Sequence, residues 1–233
     1  MRRDNFWLDG EDAAAMGVLL LQELQFDAAE PSVSAVNVPG RDGALHYYDG
    51  SYKNVRGRAR CCCLGEPVAE RMSEVNAWLL RSPGYRRLQA LTEPHFYRLA
   101  RIVRGAALSP HRDSYNEFEI EFDCRPFRYF LDGERAVSFT AAGDLRGPTT
   151  FPSLPLITVH GSGAGTVTIN GATLTLTDCD EITLDCETMD ASRSGANLNS
   201  AVSGTYPTLG QTNSISFTGG VTGLTITPRW RTI

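Results

Sequence analysis

Between Glu117 and Cys124 acidic and apolar residues alternate without a break. Phe118, Ile120, Phe122 and Cys124 fall on one side, and Glu117, Glu119, Glu121 and Asp123 on the other. A period of two is that of a strand with one buried face. Looser alternation predicts further strands at Phe6-Trp7-Leu8, within 18–26, at Val33-Ser34-Ala35-Val36, at Leu45-His46-Tyr47-Tyr48, and within 56–64, 85–91 and 96–103. One stretch changes period. Val68, Met72, Val75 and Leu79 share a helical face with Trp78 beside them, Pro67 suits a first turn, and Ser82-Pro83-Gly84 is a stop. The spacing predicts a helix over about 67–81 that packs as a lid on a sheet.

Two turn signals stand out. Pro39-Gly40-Arg41-Asp42-Gly43 separates the segments ending at Val36 and starting at Leu45, so a hairpin or protruding loop is expected there. Asn170-Gly171 separates Thr166-Val167-Thr168-Ile169 from the run 172–176; both central residues of such a two-residue turn need positive φ, which Asn and Gly tolerate best. From Phe151 onward Thr or Ser alternates with aliphatic residues and Gly recurs, with further strands expected within 181–186, 214–217 and 224–227. Six to eight such strands suffice for an antiparallel sandwich. Gly161-Ser162-Gly163-Ala164-Gly165 reads as a turn.

Charge changes the picture by dividing the chain. Residues 1–150 hold 19 of the 22 Lys+Arg and 21 of the 27 Asp+Glu, leaving three and six for the other 83 residues. A break of that size predicts an ionic β-domain with one helix over 1–140, a Gly- and Pro-rich linker over 141–155 and a neutral β-sandwich over 156–233. The net charge of -5 argues against a general nucleic-acid or anionic-membrane binder. Lys53 is the only lysine, and a surface or interface rich in Arg–carboxylate pairs follows from the arginine bias. The run 13–21 follows Arg2 and Arg3, but Asp9, Glu11 and Asp12 occupy the flank of a signal peptide, and the run is too short to span a bilayer. The six cysteines, with Cys61, Cys62 and Cys63 consecutive, form no disulfide framework and read as reduced, mostly buried thiols of a protein made in the cytoplasm.

Little of this is material for catalysis. Carboxylates two apart on a strand stand about 7 Å from each other, within the inverting-glycosidase range. The ladder Glu117, Glu119, Glu121 and Asp123 reads better as a solvated face relieved by Arg98, Arg101 or Arg104, or by arginines of another subunit. Asp178, Asp180 and Glu181 lack the loop spacing of a calcium site. His46, His95, His111 and His160 form no i, i+4 pair and no C-x-x-C motif has a second half, so neither a metal site nor any cofactor is expected. A glycan-binding module in the second domain is the alternative, but its only aromatic residues, Phe151, Tyr206, Phe217 and Trp230, read as packing residues.

The ordered fragments Phe6-Trp7-Leu8-Asp9-Gly10, Pro39-Gly40-Arg41-Asp42-Gly43, Asn116–Phe122, Pro155-Leu156-Ile157, Ile169-Asn170-Gly171, Ile182–Cys186 and Pro228-Arg229-Trp230 span nearly the whole chain. In order and spacing they resemble the distal tail proteins of long, non-contractile phage tails. That resemblance implies a mainly β protein: an N-terminal domain that assembles into a homohexameric ring, followed by a galectin-like β-sandwich that projects outward. It also implies no catalysis, a place at the virion tail tip, and docking on the tail-tube protein and a tail-associated hub or lysin protein. Receptor-binding proteins would sit on the outer domain, and DNA would pass through the lumen without specific binding. A closed ring needs two different patches per subunit. The residues expected at that interface are Arg41, Tyr47, Tyr48 and Tyr52, on or near the hairpin loop, the other reading of the tyrosines being that they pack beneath it. The family's Gly-x-Asn turn is one residue longer here, at Gly210-Gln211-Thr212-Asn213.

Overall fold

The computed structural model describes residues 4–108 and 114–233 and the backbone of 110–112; Arg2, Arg3 and the side chain of His111 lie outside the described residues. Two compact units divide the chain between Arg128 and Tyr129, with Ile233 counted in the first.

The first unit contains β1 (Phe6–Leu8), β2 (Glu11–Asp12), β3 (Val18–Leu20), β4 (Gln25–Phe26), β5 (Pro31–Asn37), β6 (Ala44–Tyr52), β7 (Val55–Leu64), α1 (Val68–Leu79), β8 (Arg86–Ala90), β9 (Phe96–Arg104), β10 (Pro110–Arg112) and β11 (Tyr115–Phe130). The main sheet runs β2-β1-β8-β9-β11-β7-β3, with β4 joining β7. The expected strand within 18–26 is thus two short ones, β3 and β4, both on the edge of β7. At the centre β11 pairs with β7 over ten residues, from Tyr115↔Leu64 to Cys124↔Val55. Phe118, Ile120, Phe122 and Cys124 point inward as the alternation predicts. The helix covers them as a lid, burying Val68, Met72, Val75, Trp78 and Leu79. Phe6 bridges lid and sheet, stacked 6.1 Å from Trp78 and edge-on 6.0 Å from Phe122.

The segment Phe6–Gly10 has a mechanical role. Asp9 (φ 54°) and Gly10 (φ 83°) make the two-residue turn between β1 and β2. Asp9 Oδ2 accepts a 2.6 Å hydrogen bond from Arg86 Nε, while Arg86 Nη1 donates to the carbonyls of Trp78 (2.9 Å) and Leu79 (3.2 Å). A buried guanidinium thereby satisfies the open carbonyls at the helix C-terminus, where a positive charge is favoured. Partial burial raises the Asp9 carboxyl, but the Arg86 hydrogen bond and charge outweigh it and hold the group below the usual carboxylate range.

The second unit contains β12 (Val137–Phe139), β13 (Gly143–Arg146), β14 (Leu156–Ile169), β15 (Ala172–Leu176), β16 (Ile182–Asp185), β17 (Asp190–Arg193), β18 (Ala196–Asn197), β19 (Val202–Gly204), β20 (Thr212–Thr227) and β21 (Arg231–Thr232). The stretch 141–155, expected to be a linker, supplies β13, which pairs with β20 and buries Leu145. Two long strands organise the unit. The first half of β14 pairs with β16 and with the end of β20, while its second half pairs with β15 and the start of β20. Inward residues of both halves, among them Ile157, Val159, Val167, Ile169, Ile215 and Leu224, share one core, so a single antiparallel sheet folds over onto itself.

The fold-over occurs at the glycines. Gly161–Gly165, read from sequence as a turn, lies inside β14 and faces Gly219 and Val221 of β20 across register shifts. The segments 214–217 and 224–227 are likewise one strand, interrupted where Gly219-Gly220 crosses that corner. Strands turn such corners at bulges, where backbones approach too closely for side chains. A Cβ on Gly220 would lie 1.9 Å from the Ser162 carbonyl oxygen. The Asn170-Gly171 hairpin forms as predicted, with φ of 53° and 83°. Its Asn170 is tied to the longer turn at 210–213: fully buried Asn213 accepts from Gly210 N (2.7 Å) and Asn170 Nδ2 (2.8 Å), and donates to the carbonyls of Leu145 and Gly210 (2.9 Å each).

Candidate assembly interface

Strands β5 and β6 leave the main sheet and pair only with each other. A lone two-stranded ribbon is marginally stable in water. This one is also apolar on both sides. Val36↔Leu45 and Ser34↔Tyr47 set one face, Val33↔Tyr48 and Ala35↔His46 the other. Six of the thirteen exposed large hydrophobic residues of the described chain sit on this arm: Val33, Val36, Val38, Leu45, Tyr47 and Tyr48. Exposed apolar residues gathered on one protrusion mark a surface built to be covered.

The structure separates the four residues singled out from sequence. Arg41 is exposed at the tip, in a turn closed by its N–H to the Val38 carbonyl. Tyr47 is 64% exposed and Tyr48 46%. Tyr52 is partly buried, with its ring edge-on to Tyr48 at 6.2 Å and to Phe127 at 6.0 Å. It therefore anchors the base of the arm to β11 while Tyr47 stands in solvent. A hydrogen bond with Tyr52, then burial, raises the Tyr48 phenol above its ordinary value. Sequence inspection missed Val33, Val36, Val38 and Leu45. The available signal was that both sides of the run 33–38 carry valine, a pattern that a half-buried strand does not need.

Beside the arm lies the charged outer face of the main sheet. Register sets Arg60, Arg58 and Arg56 of β7 opposite Glu119, Glu121 and Asp123. Arg60 reaches diagonally to Glu117 at 3.0 Å, and Arg101 of β9 meets Asp123 at 3.0 Å. Of the arginines expected to relieve the ladder, Arg101 does so. Arg98 does not: it is buried on the core side, against Glu93 (3.3 Å) and 4.1 Å from the Phe26 ring. Its even number puts it on the face opposite Arg101, a consequence of strand parity that spacing alone shows once β9 is placed. Cations thus interleave with the carboxylates across three strands, and Glu117 and Asp123 of the ladder are held in ion pairs. Tyr115 is pushed up to about 12, foremost by its hydrogen bond to Glu117.

The remaining chemical candidates have structural partners. Asp178 pairs with Arg193 at 2.7 Å, and Glu181 with His160 at 2.8 Å. Among the described residues no group of three or more His, Cys, Asp or Glu side chains is placed to hold a metal ion. All six cysteines are free and buried. Burial pushes Cys61, Cys124 and Cys186 up to about 12, which makes them poor nucleophiles. Of the second unit's aromatic residues Tyr129 and Trp230 are buried, and Phe130, Phe139, Phe151, Tyr206 and Phe217 are partly buried, so none is an exposed stacking platform.

Comparison with known proteins bears on the fold. No protein-family model and no curated protein sequence matches the chain. Among solved structures it is similar to the crystal structure of the SPP1 Dit (gp 19.1) protein, described as a paradigm of the hub adsorption apparatus in phages infecting Gram-positive hosts. The two superpose with a TM-score of 0.71 over 97% of this chain and 98% of that one, at 13% identity. The mainly β, single-helix architecture expected from the resemblance to distal tail proteins is thus the fold this chain has.

Proposed function

We propose that the chain is a structural, non-enzymatic protein of a phage tail tip, a distal-tail-type subunit whose copies close into a ring. The observation that carries this reading is the β5–β6 arm, apolar on both faces, on a chain whose fold is similar to that of a tail-hub protein over 97% of its length. Ring closure requires a heterologous contact, and a protrusion is one half of such a contact. Six subunits, docking on the tail-tube protein and on the hub or lysin protein, and DNA passage through the lumen follow from the resemblance to distal tail proteins. In the same reading the second, charge-poor unit is a galectin-like platform for receptor-binding proteins. Its outward surface carries a row of small polar side chains: the hydroxyls of Ser138, Thr225, Thr158, Thr183 and Ser192 and the amide of Asn197 stand in register across six strands.

Native mass spectrometry and negative-stain imaging of the purified chain test the proposal. A ring of six, seen down its axis as an annulus, is the expected result. A particle that stays monomeric at high concentration overturns it. No observation favours the glycan-binding alternative over this reading.

A further inference from the structure

At the foot of the arm lies a half-open groove of about 450 Å³. Its floor is the outer face of the sheet, with Arg56, Arg101, Val103, Glu121 and Asp123; Asp27, Glu30, Lys53 and Asn54 form its walls. Two ion pairs within it are closed, Lys53–Glu30 at 3.4 Å and Arg101–Asp123 at 3.0 Å. Asp27, Glu121 and Arg56 make no ion pair among the described residues, which leaves the groove with two carboxylates and one guanidinium to satisfy. Val103, 56% exposed, adds an apolar contact.

We infer that this groove receives the arm tip of a second copy of the chain. The inference rests on the ring reading above and names its two mating patches. The tip offers Arg41 and Asp42 side by side, the complement of Asp27 and Glu121 on one hand and Arg56 on the other. Val38, exposed at the end of the arm, is the apolar counterpart of Val103 in the groove. The occupant cannot be the chain's own tip. Strands of seven and nine residues hold tip and foot roughly 25 Å apart. A contact between the far end of one subunit and the near end of the next is head-to-tail, the type that closes into rings. Arginine–carboxylate hydrogen bonds fix the register of such a contact, while the apolar faces of the arm supply its area.

Two sets of variants test the pairing in the full chain. Arg41→Glu should raise the concentration of half-assembly by about tenfold to a hundredfold. Adding Asp27→Lys and Glu121→Lys to Arg41→Glu should recover most of that loss, whereas the two lysine changes alone should also impair assembly. Separately, Arg41→Cys combined with Asp27→Cys should yield a ladder of disulfide-linked oligomers on oxidation, with neither single variant doing so; the native thiols are buried and do not compete. An intact wild-type ring with neither rescue nor ladder overturns this pairing and leaves the ring reading standing. A monomeric wild type overturns both.

Discussion

Tyr47 exposes 64% of its surface on a ribbon that has no cover of its own. For an aromatic side chain of roughly 200 Å², that is about 130 Å² of surface available to a partner. At about 25 cal/mol per Å², its burial contributes about 3 kcal/mol per contact, an upper value because the hydroxyl edge of the ring is polar. Tyr47→Ser should therefore weaken each subunit contact by up to about a hundredfold. The folded monomer should hardly notice, since exposed substitutions away from packing shift stability by about 0.5 kcal/mol or less. Mass photometry across a dilution series reads the first quantity, and urea unfolding followed by circular dichroism the second. Tyr52→Ser, which removes the ring joining Tyr48 to Phe127, should do the reverse in part, lowering the melting temperature as well as assembly. If Tyr47→Ser assembles at the wild-type concentration, the face bearing Val36, Leu45 and Tyr47 is not buried in the particle, and the arm has been misread.

The other expectations concern the frame that carries the arm. Asn213→Leu strands the N–H and carbonyl of Gly210 and the carbonyl of Leu145 in a buried site; at about 1–3 kcal/mol for each unsatisfied group the loss should be about 3–5 kcal/mol, and a urea-midpoint change equivalent to less than 1 kcal/mol would refute it. Gly220→Val puts a side chain where a Cβ already falls 1.9 Å from the Ser162 oxygen, so little folded second unit should be recovered, as read by limited proteolysis; an unchanged digestion pattern contradicts the corner geometry. For Asp9 and Asp185 burial raises the carboxyl, but hydrogen bonds from Arg86 and Arg229 more than offset it, so both titrate below their unfolded values. Their stabilisation is complete above about pH 4, the unfolded carboxylate pKa, and is lost as pH falls through the lower folded values; melting temperature should decline from pH 5 to pH 2, and Asp185→Asn should flatten part of that slope.

What sequence could convey divides by range. The strict alternation at 117–124, the spacing of Val68, Met72, Val75 and Leu79 and the Asn170-Gly171 turn are local signals, and each forms the element it predicts. Glycine was ambiguous, because the same freedom serves a turn between strands and a corner within one. Gly161–Gly165 and Gly219-Gly220 resolve as a corner only when β14 and β20 lie side by side, a pairing 50 to 60 residues apart. The unit boundary was obscured similarly: Gly143 and the prolines to Pro155 punctuate β13 and its neighbours, while the change of unit falls inside the continuous strand β11. On the arm, the tyrosines and Arg41 stand out by residue type. Their different roles do not, since whether a tyrosine anchors or protrudes depends on Phe127, 75 positions beyond Tyr52.

The distribution of charge acquires a physical sense from these placements. The first unit sets its ions in complementary stripes, arginines on β7 against carboxylates on β11, and at the groove Asp27, Glu121 and Arg56 make no ion pair among the described residues. Elsewhere such exposed pairs contribute little to stability. They do penalise wrong partners, because a misplaced arm sets like charges together or desolvates an ion without a mate. Apolar residues on both faces of the arm carry no such discrimination. A ribbon that is indiscriminately sticky needs a selective endpoint, and the Arg41-Asp42 tip opposite an unbalanced groove supplies one. On the proposed pairing, assembly draws its strength from Val33, Val36, Leu45, Tyr47 and Tyr48, and its register from two charges at the far end of the same hairpin.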